Sequence, residues 1–174
     1  PCVQGRALRR RFDKPTNDQY TYDMAERNPL SLDEQVCFAL SVASRSIVAS
    51  YRDVLEPLGL THPQYLVMLA LWENDGLTLR ALSERLRLEP ATVSPLVKRL
   101  ETAGLISRDR KPGDDRAFAL TLTPAGRELR KRAESVPTTM LARLEMDTTE
   151  LDQINNWLHQ LIARTDRASE GITA

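Results

Sequence analysis

The sequence between Thr78 and Gly104 predicts two short helices joined by a tight turn, and this pattern constrains the fold most. Thr78 is a good N-cap residue, and the leucines after it recur on one helical face, so we expect a helix over residues 79–86. Pro90 suits the first position of a second helix, which should continue to about Thr102. Two short helices joined by about three or four residues form a helix-turn-helix.

A β-hairpin is predicted directly after this pair of helices. Residues 105–108 and 117–122 have the apolar character of strands, and the Pro-Gly sequence within residues 111–115 is typical of a turn. The hairpin carries the cations Arg108, Arg110, Lys111 and Arg116. A basic hairpin directly after a helix-turn-helix predicts a winged helix-turn-helix, whose wing can reach along a DNA duplex.

Longer helices are expected before the winged region. Ser31 and Glu34 have the spacing of a capping box, and apolar residues follow at helical spacing, so we expect a long first helix over about residues 31–58. A second box at residues 61–64 begins a helix whose body is nearly all apolar through Trp72 and therefore buried.

Two closing helices are expected after the hairpin. Pro124 begins the first of them, which Pro137 should kink or end. Asp147 and Glu150 form a capping box for the last helix, whose apolar face continues to about residue 166. The predicted fold class is therefore mainly α, with a small β-hairpin wing.

The chain fits a single domain with a tail at each end. The N-terminal arm shows no sustained apolar period, so we expect it to be flexible; its arginines could touch the DNA backbone, but a solvated tail is the simpler interpretation. The predicted boundaries are 1–30 for the arm, 31–166 for the domain, about 60–123 for its winged helix-turn-helix, about 31–58 and 124–166 for its flanking helices, and 167–174 for the C-terminal tail.

Charge is distributed unevenly along the chain. The 24 Lys and Arg residues balance the 24 Asp and Glu residues, so the net charge indicates no particular partner. Cations nevertheless outnumber acids between Gly76 and Arg116, and acids outnumber cations after Met146. The winged region is therefore the part of the chain that we expect to face phosphates.

Several classes of protein are not expected. The apolar runs are far shorter than the about 20 residues that cross a bilayer, and no signal peptide is evident. We find no paired catalytic His and carboxylates, no Gly-rich phosphate loop and no Cys/His cluster, so we expect neither an enzyme nor a bound cofactor or metal. With Cys2 and Cys37 alone, a disulfide framework is not expected, and a reducing cytoplasm is the natural setting.

The second short helix has the composition of a DNA-recognition helix. Its inward stripe is apolar, whereas its opposite face suits the major groove, with base contacts near the N-terminus and cations for phosphates. The residues on that face are Thr92, Ser94, Pro95, Lys98 and Arg99. Taken alone this could be an ordinary exposed helix face; the adjoining basic wing, with Arg108, is what favours DNA contact.

Three runs of sequence resemble the MarR family of bacterial regulators, over about residues 31–166. They are the run from Leu96 to Ile106, the wing motif Asp114-Asp115-Arg116 and the run Leu122-Thr123-Pro124-x-Gly126. The resemblance implies a transcriptional repressor that forms a homodimer through its first and last helices and binds a near-palindromic operator. It also implies that Arg116 enters the minor groove, oriented by Asp114.

Within that family, residues 33–40 and 61–67 are similar to the OhrR branch, which senses organic hydroperoxides. The resemblance implies that a peroxide oxidises Cys37 to a sulfenic acid and then to a disulfide, so that the repressor leaves its DNA. No second cysteine lies near the C-terminus, which points to a mixed disulfide with a low-molecular-weight thiol. Cys2 could serve only if the arm folds back.

Tyr51 and His62 match positions that support the sensor cysteine in that branch. Tyr51 lies 14 positions after Cys37, about 21 Å along one straight helix, so a contact between them requires a partner subunit. The branch usually has tyrosines where this chain has Ser41 and His62. His62 can still donate a hydrogen bond or, as an imidazolium, stabilise a thiolate.

The sequence leaves other interpretations open. Cys37 could be a small buried hydrophobic residue, Tyr51 could pack its ring in the dimer core, and His62 could be an exposed first-turn residue. The release signal would then be a small phenolic or aromatic ligand bound between the dimerisation and DNA-binding regions.

Overall fold

The computed structural model describes residues 28, 30–111 and 114–170, without the side chains of residues 111, 114–117 and 170. The helices are α1 (Val36–Leu55), α2 (His62–Glu73), α3 (Leu79–Leu86), α4 (Pro90–Thr102), α5 (Pro124–Ala133), α6 (Val136–Arg143) and α7 (Thr148–Glu170). The strands are β1 (Leu77–Thr78), β2 (Ile106–Lys111) and β3 (Asp114–Leu122), and 3₁₀ turns cover Leu32–Glu34 and Glu56–Leu58. Cys2 and most of the predicted arm and tail lie outside the described residues.

The chain divides into two compact units, residues 1–45 and residues 46–174. In the first unit the predicted capping box at Ser31 is wrong, because the Ser31 side chain makes no capping hydrogen bond. A 3₁₀ turn follows Ser31 instead, and the α-helical pattern begins with the hydrogen bond from the Ala39 N–H to the Gln35 carbonyl, at 3.1 Å. Cys37 is therefore the second residue of α1 rather than a residue about a turn and a half into the helix.

The second unit contains the winged helix-turn-helix that the sequence predicts. Thr78 caps α3 by accepting a hydrogen bond from the Ala81 N–H at 3.1 Å, and α4 begins at Pro90. The turn between the two helices places Arg87 in the left-handed region, at φ 53° and ψ 42°. The predicted inward stripe is confirmed by the buried residues Leu82, Val93, Val97 and Leu100.

Helix α2 forms the centre of this core. Its predicted capping box is present, since the Gln64 side-chain oxygen accepts hydrogen bonds from the N–H and the hydroxyl of Thr61, both at 2.9 Å. Val67, Met68 and Leu71 are fully buried, as expected for an apolar helix with neighbours on most sides. Leu69 departs from this pattern, because its side chain faces a surface cleft that also involves α5 and α6.

The sheet has three antiparallel strands in the order β1-β3-β2. The sequence did not predict β1, a two-residue strand in which Leu77 pairs with Leu120. Strands β2 and β3 pair from Ile106 with Leu122, at the base of the hairpin, to Lys111 with Asp114, at its tip. The register is irregular between Arg110 and Lys111. Both strands are longer than expected, so residues 111, 114 and 115, which we assigned to the turn, are strand residues.

The C-terminal region contains three helices where two were expected. Helix α5 ends at Ala133, and Pro137 lies in the first turn of α6, where its missing N–H costs little. The predicted capping box of α7 is confirmed by hydrogen bonds in both directions between Asp147 and Glu150, at 2.8 and 3.0 Å. Helix α7 continues through Glu170, past the expected end at residue 166. None of the helices in the described part of the chain has the length and apolar character to cross a membrane.

Gly126 is required by close packing at the root of the wing. A Cβ atom at this position would lie 2.1 Å from the Leu105 carbonyl oxygen, and the Gly126 carbonyl accepts a hydrogen bond from the Trp72 indole at 2.9 Å. We therefore expect Gly126→Ala to lower the free energy of unfolding by about 1–3 kcal/mol through overpacking, measured by urea titration at a fixed protein concentration. Ala125→Ser, at an exposed position of the same turn, is the matched control. Equal stability of the two variants would contradict the packing account.

Candidate functional site

The outer face of α4 presents the predicted DNA-reading residues together. Thr92, Pro95, Lys98 and Arg99 are exposed and Ser94 is half-buried, opposite the buried stripe. Pro95 lies inside the helix rather than in its first turn, so it cannot donate the backbone hydrogen bond to the Ala91 carbonyl. Hydroxyl groups lie near the N-terminal end of this face, where they can contact base edges in the major groove. The cations lie one turn further along the helix, where they can contact phosphates.

The cations of the winged region divide into paired and unpaired groups. Lys98, Arg99 and Arg110 are exposed, and no carboxylate partner is found for them among the described residues. The paired cations and their distances are Arg80 with Glu84 at 2.9 Å, Arg85 with Glu73 at 2.7 Å, Arg87 with Asp166 at 3.0 Å and Arg108 with Glu101 at 3.0 Å. Within the described part of the chain, these three cations can bind phosphates without first breaking an ion pair.

Arg108 has a structural partner that the sequence did not indicate. Its ion pair with Glu101 joins β2 of the wing to the last turn of α4; the Glu101 side chain is half-buried and that of Arg108 is 38% exposed. DNA contact by Arg108 stays a prediction, and the pair gives the residue a second role in orienting the wing. Asp114 and Arg116 have backbones in β3, but their side chains lie outside the described residues, so their minor-groove roles also stay predictions.

Cys37 is a free, exposed thiol in the first turn of α1. This exposure is that of the single chain, so the redox role of Cys37 and the alternative of a small buried hydrophobic residue both stay predictions. Ser41 lies one turn further along the helix and is also exposed. In the part of the chain that is described, no group of three or more His, Cys, Asp and Glu residues could hold a metal ion.

Tyr51 and His62 come from different helices and pack against each other. Their ring centroids lie 4.9 Å apart with a tilt of 57° between the ring planes, and both residues are half-buried. Burial raises the pKa of Tyr51 and lowers the pKa of His62, because it penalises the charged form of each. His62 is therefore neutral at neutral pH, which favours the hydrogen-bonding role over the imidazolium role.

The aromatic cluster extends beyond the two residues that the sequence indicated. Tyr65 lies 6.1 Å from Tyr51 and 6.2 Å from Trp72, between ring centroids. Sequence reasoning assigned Tyr65 and Trp72 to the apolar body of α2, and their spacing of seven residues, two helical turns, is the signal that places both on one face. The cluster therefore connects the Tyr51–His62 pair to the root of the wing through Trp72.

A shallow cleft of about 210 Å³ lies at the end of this cluster. Its walls are mostly apolar, and they come from α2, α5 and the start of α6; Arg130, Glu73 and Glu134 also line it. The apolar walls are Tyr65, Leu69, Trp72, Ala133 and Pro137. Such a lining suits a flat apolar or aromatic group.

A winged helix-turn-helix with a free cationic recognition face defines a DNA-binding protein, and sequence comparison specifies the family. The model of the MarR family matches residues 60–118. The chain is 36% identical over 133 residues to the organic hydroperoxide resistance transcriptional regulator of Bacillus subtilis strain 168, covering 76% of this chain and 90% of that protein. It is 38% identical over 141 residues to the regulator TtmR of Methylorubrum extorquens strain PA1, and the match covers 79% of this chain and 72% of that protein. The chain belongs to the MarR family of DNA-binding transcriptional regulators.

Solved structures of similar regulators share the fold. AbfR of Staphylococcus epidermidis matches with a TM-score of 0.67 and 30% identity, covering 87% of this chain and 99% of that one. AbfR has also been solved in a disulfide-formed state and, reduced, bound to DNA. CouR from Rhodococcus jostii RHA1, solved with p-coumaroyl-CoA, matches with a TM-score of 0.65 and 26% identity, and the match covers 76% of this chain and 94% of that one. CouR has also been solved bound to a 23-mer DNA duplex.

The recognition face predicts a separation between base reading and phosphate binding. Thr92→Ala should relax the sequence preference in a selection from random duplexes and leave the salt dependence of binding unchanged. Arg99→Gln should weaken binding to all sequences alike and reduce the slope of log affinity against log salt by about 0.9 for each subunit that contacts the DNA. Thr138→Ala, at an exposed position of α6, is the control. A lowered salt slope in Thr92→Ala, or an altered sequence preference in Arg99→Gln, would reverse these assignments.

The lowered pKa of His62 predicts an acid-sensitive contribution to stability. Below the ordinary histidine value of about 6.5, the unfolded chain binds a proton that the folded chain takes up only at lower pH. Stability should therefore fall as the pH drops through this window, and His62→Gln should remove that part of the loss. Thermal melting on both sides of about pH 6.5 measures it, with His159→Gln as the control. If wild type and His62→Gln showed the same pH dependence of stability, His62 would not be the source of the loss.

Proposed function

We propose that this regulator is a homodimeric repressor that leaves its operator when organic hydroperoxides oxidise Cys37. The observation that carries the proposal is the preformed pair of Tyr51 and His62, packed ring against ring. It provides a hydroxyl and a neutral imidazole at two positions that match supporting residues of a hydroperoxide sensor. Cys37 supplies the exposed thiol. The proposal places the protein in a reducing cytoplasm, where such a thiol is maintained.

Exposed apolar surface supports a dimer of this chain. Helix α7 is long and has an apolar face, yet Ile154 is 46% exposed, Trp157 is 51% exposed and Ile162 is 39% exposed. The described residues of α7 include none that is buried. Exposed apolar faces of this length mark protein contacts, and a second copy that uses the same helix would cover both faces at once.

The sensing site would form between two subunits. Cys37 and Tyr51 occupy the same helix, and 14 residues of α-helix correspond to about 21 Å. A thiol at one end of α1 would therefore meet Tyr51 and His62 of the partner subunit. The dimer and the redox function depend on each other in this proposal.

The chemistry balances with the peroxide as the oxidant. The Cys37 thiolate attacks one oxygen of the hydroperoxide, the O–O bond breaks, and the alkoxide takes up a proton to leave as an alcohol. Tyr51 and His62 would donate hydrogen bonds to the departing oxygen. The sulfenic acid then condenses with a low-molecular-weight thiol, which releases water and forms a mixed disulfide. The anionic thiolate would lie near the positive end of the α1 dipole.

Release from DNA tests the redox function directly. An operator duplex is selected from a random pool with the reduced protein, and the complex is titrated with cumene hydroperoxide. We expect stoichiometric oxidant to release the wild type and Cys2→Ser, whereas Cys37→Ser stays bound, because only Cys37 carries the reacting sulfur. Mass spectrometry of Cys37 in the same samples measures the oxidation. Equal release of wild type and Cys37→Ser would exclude this mechanism.

A second candidate function is release by a small aromatic ligand, and the cleft beside Trp72 is the observation that favours it. The cleft has mostly apolar walls, and the similar CouR is solved with p-coumaroyl-CoA. If this function holds, hydroxycinnamates release wild type and Cys37→Ser alike, and Leu69→Trp, which fills the cleft, resists release. Failure of hydroxycinnamates to release either protein counts against it.

A further inference from the structure

We propose that Arg87 is a further phosphate-binding residue of the DNA interface, and that Asp166 of α7 holds its guanidinium in the DNA-free protein. Arg87 lies in the turn of the helix-turn-helix, and Asp166 lies 79 residues later, near the end of the last helix. The proposal goes beyond the recognition helix and the wing, and it does not depend on Cys37.

The backbone at Arg87 is the first observation. The residue ends α3 in the left-handed region, where its N–H donates to the carbonyls of Ser83 and Glu84. Glycine or asparagine usually occupies this position, because other side chains are strained there. A strained arginine in a tight turn indicates a role for its side chain beyond closing the turn.

The place of the side chain is the second observation. Arg87 lines a surface cleft together with Arg80, Leu88, Glu89 and Pro90, at the start of α4. Arg87 therefore lies beside the N-terminal end of the recognition helix, three residues before Pro90. That end of the helix enters the major groove in helix-turn-helix proteins, with the DNA backbone on either side.

The ion pair with Asp166 is the third observation. A single nitrogen, Nη1 of Arg87, contacts both carboxylate oxygens, at 3.0 and 3.1 Å. The side chains of Arg87 and Asp166 are 65% and 50% exposed, so water screens the pair. The pair leaves Nε and Nη2 of the guanidinium unused among the described residues. A phosphate can accept hydrogen bonds from two nitrogens of the guanidinium. Binding of the guanidinium to a DNA phosphate also releases counterions from the DNA.

These observations together describe an exchange of partners. In the free protein Asp166 neutralises Arg87 and places a carboxylate beside the turn of the helix-turn-helix. On DNA a phosphate replaces the carboxylate, and the end of α7 loses its ionic contact with the turn. Asp166 thus competes with DNA for the same cation, so removing its charge should strengthen binding.

The test measures binding to a mixed-sequence DNA duplex over a range of salt concentrations, because phosphate contacts do not depend on sequence. Arg87→Gln should reduce the slope of log affinity against log salt by about 0.9 for each subunit that contacts the DNA, and Arg87→Lys should restore most of it. Arg164→Gln, which removes the same charge from α7, should keep the wild-type slope. A wild-type slope in Arg87→Gln would overturn the assignment of Arg87 to the interface.

The role of Asp166 is tested against a matched charge on the same helix. Asp166→Asn should bind DNA about two- to fivefold more tightly than Asp152→Asn, as expected for release from one exposed ion pair. In the Arg87→Gln background this advantage should vanish, because no guanidinium remains to be released. Equal affinities of the two Asn variants, or an advantage that persists without Arg87, would overturn the exchange. Circular dichroism confirms that each variant is folded.

Discussion

The close contact of Gly126 with Leu105 and Trp72 fixes the wing on the helical core. Leu105 is the residue before β2, and its carbonyl also accepts a hydrogen bond from the Thr123 N–H at 3.1 Å. Trp72 donates its indole N–H to Gly126, so α2, α5 and the wing root meet at one point. The same tryptophan belongs to the aromatic cluster that includes Tyr51. Trp72 thus belongs both to that cluster and to the wing root.

The electrostatics of the winged region follow from which cations already have partners. Lys98, Arg99 and Arg110 are unpaired among the described residues, and they lie on the recognition helix and the wing. Arg108 is held by Glu101. DNA binding in this family member thus combines cations that are available at once with a cation, Arg87, that we propose must change partner. Such an exchange would connect operator binding to the last helix, whose exposed apolar face we assign to the dimer.

Local signals in the sequence predicted most of the fold. The caps at Thr61, Thr78 and Asp147, and the prolines at helix starts, are chemical features that act within a few residues, so they specify helix boundaries. The two-residue strand β1 was missed because it exists only through pairing with Leu120, far along the chain. The packing of Tyr51 against His62 could not be predicted from the sequence, because it is a tertiary contact without a local signal. The same holds for the Arg108–Glu101 and Arg87–Asp166 ion pairs.

The central claim is that Cys37 of one subunit is activated by Tyr51 and His62 of the other, and a mixed dimer tests it most directly. One subunit carries Cys37→Ser, and its partner carries Tyr51→Phe with His62→Phe, so the remaining Cys37 faces an intact pair only across the interface. The rate of Cys37 oxidation by cumene hydroperoxide is followed by mass spectrometry in the purified heterodimer. We predict the rate of the wild-type site. A rate equal to that of the Tyr51→Phe, His62→Phe homodimer would contradict the account.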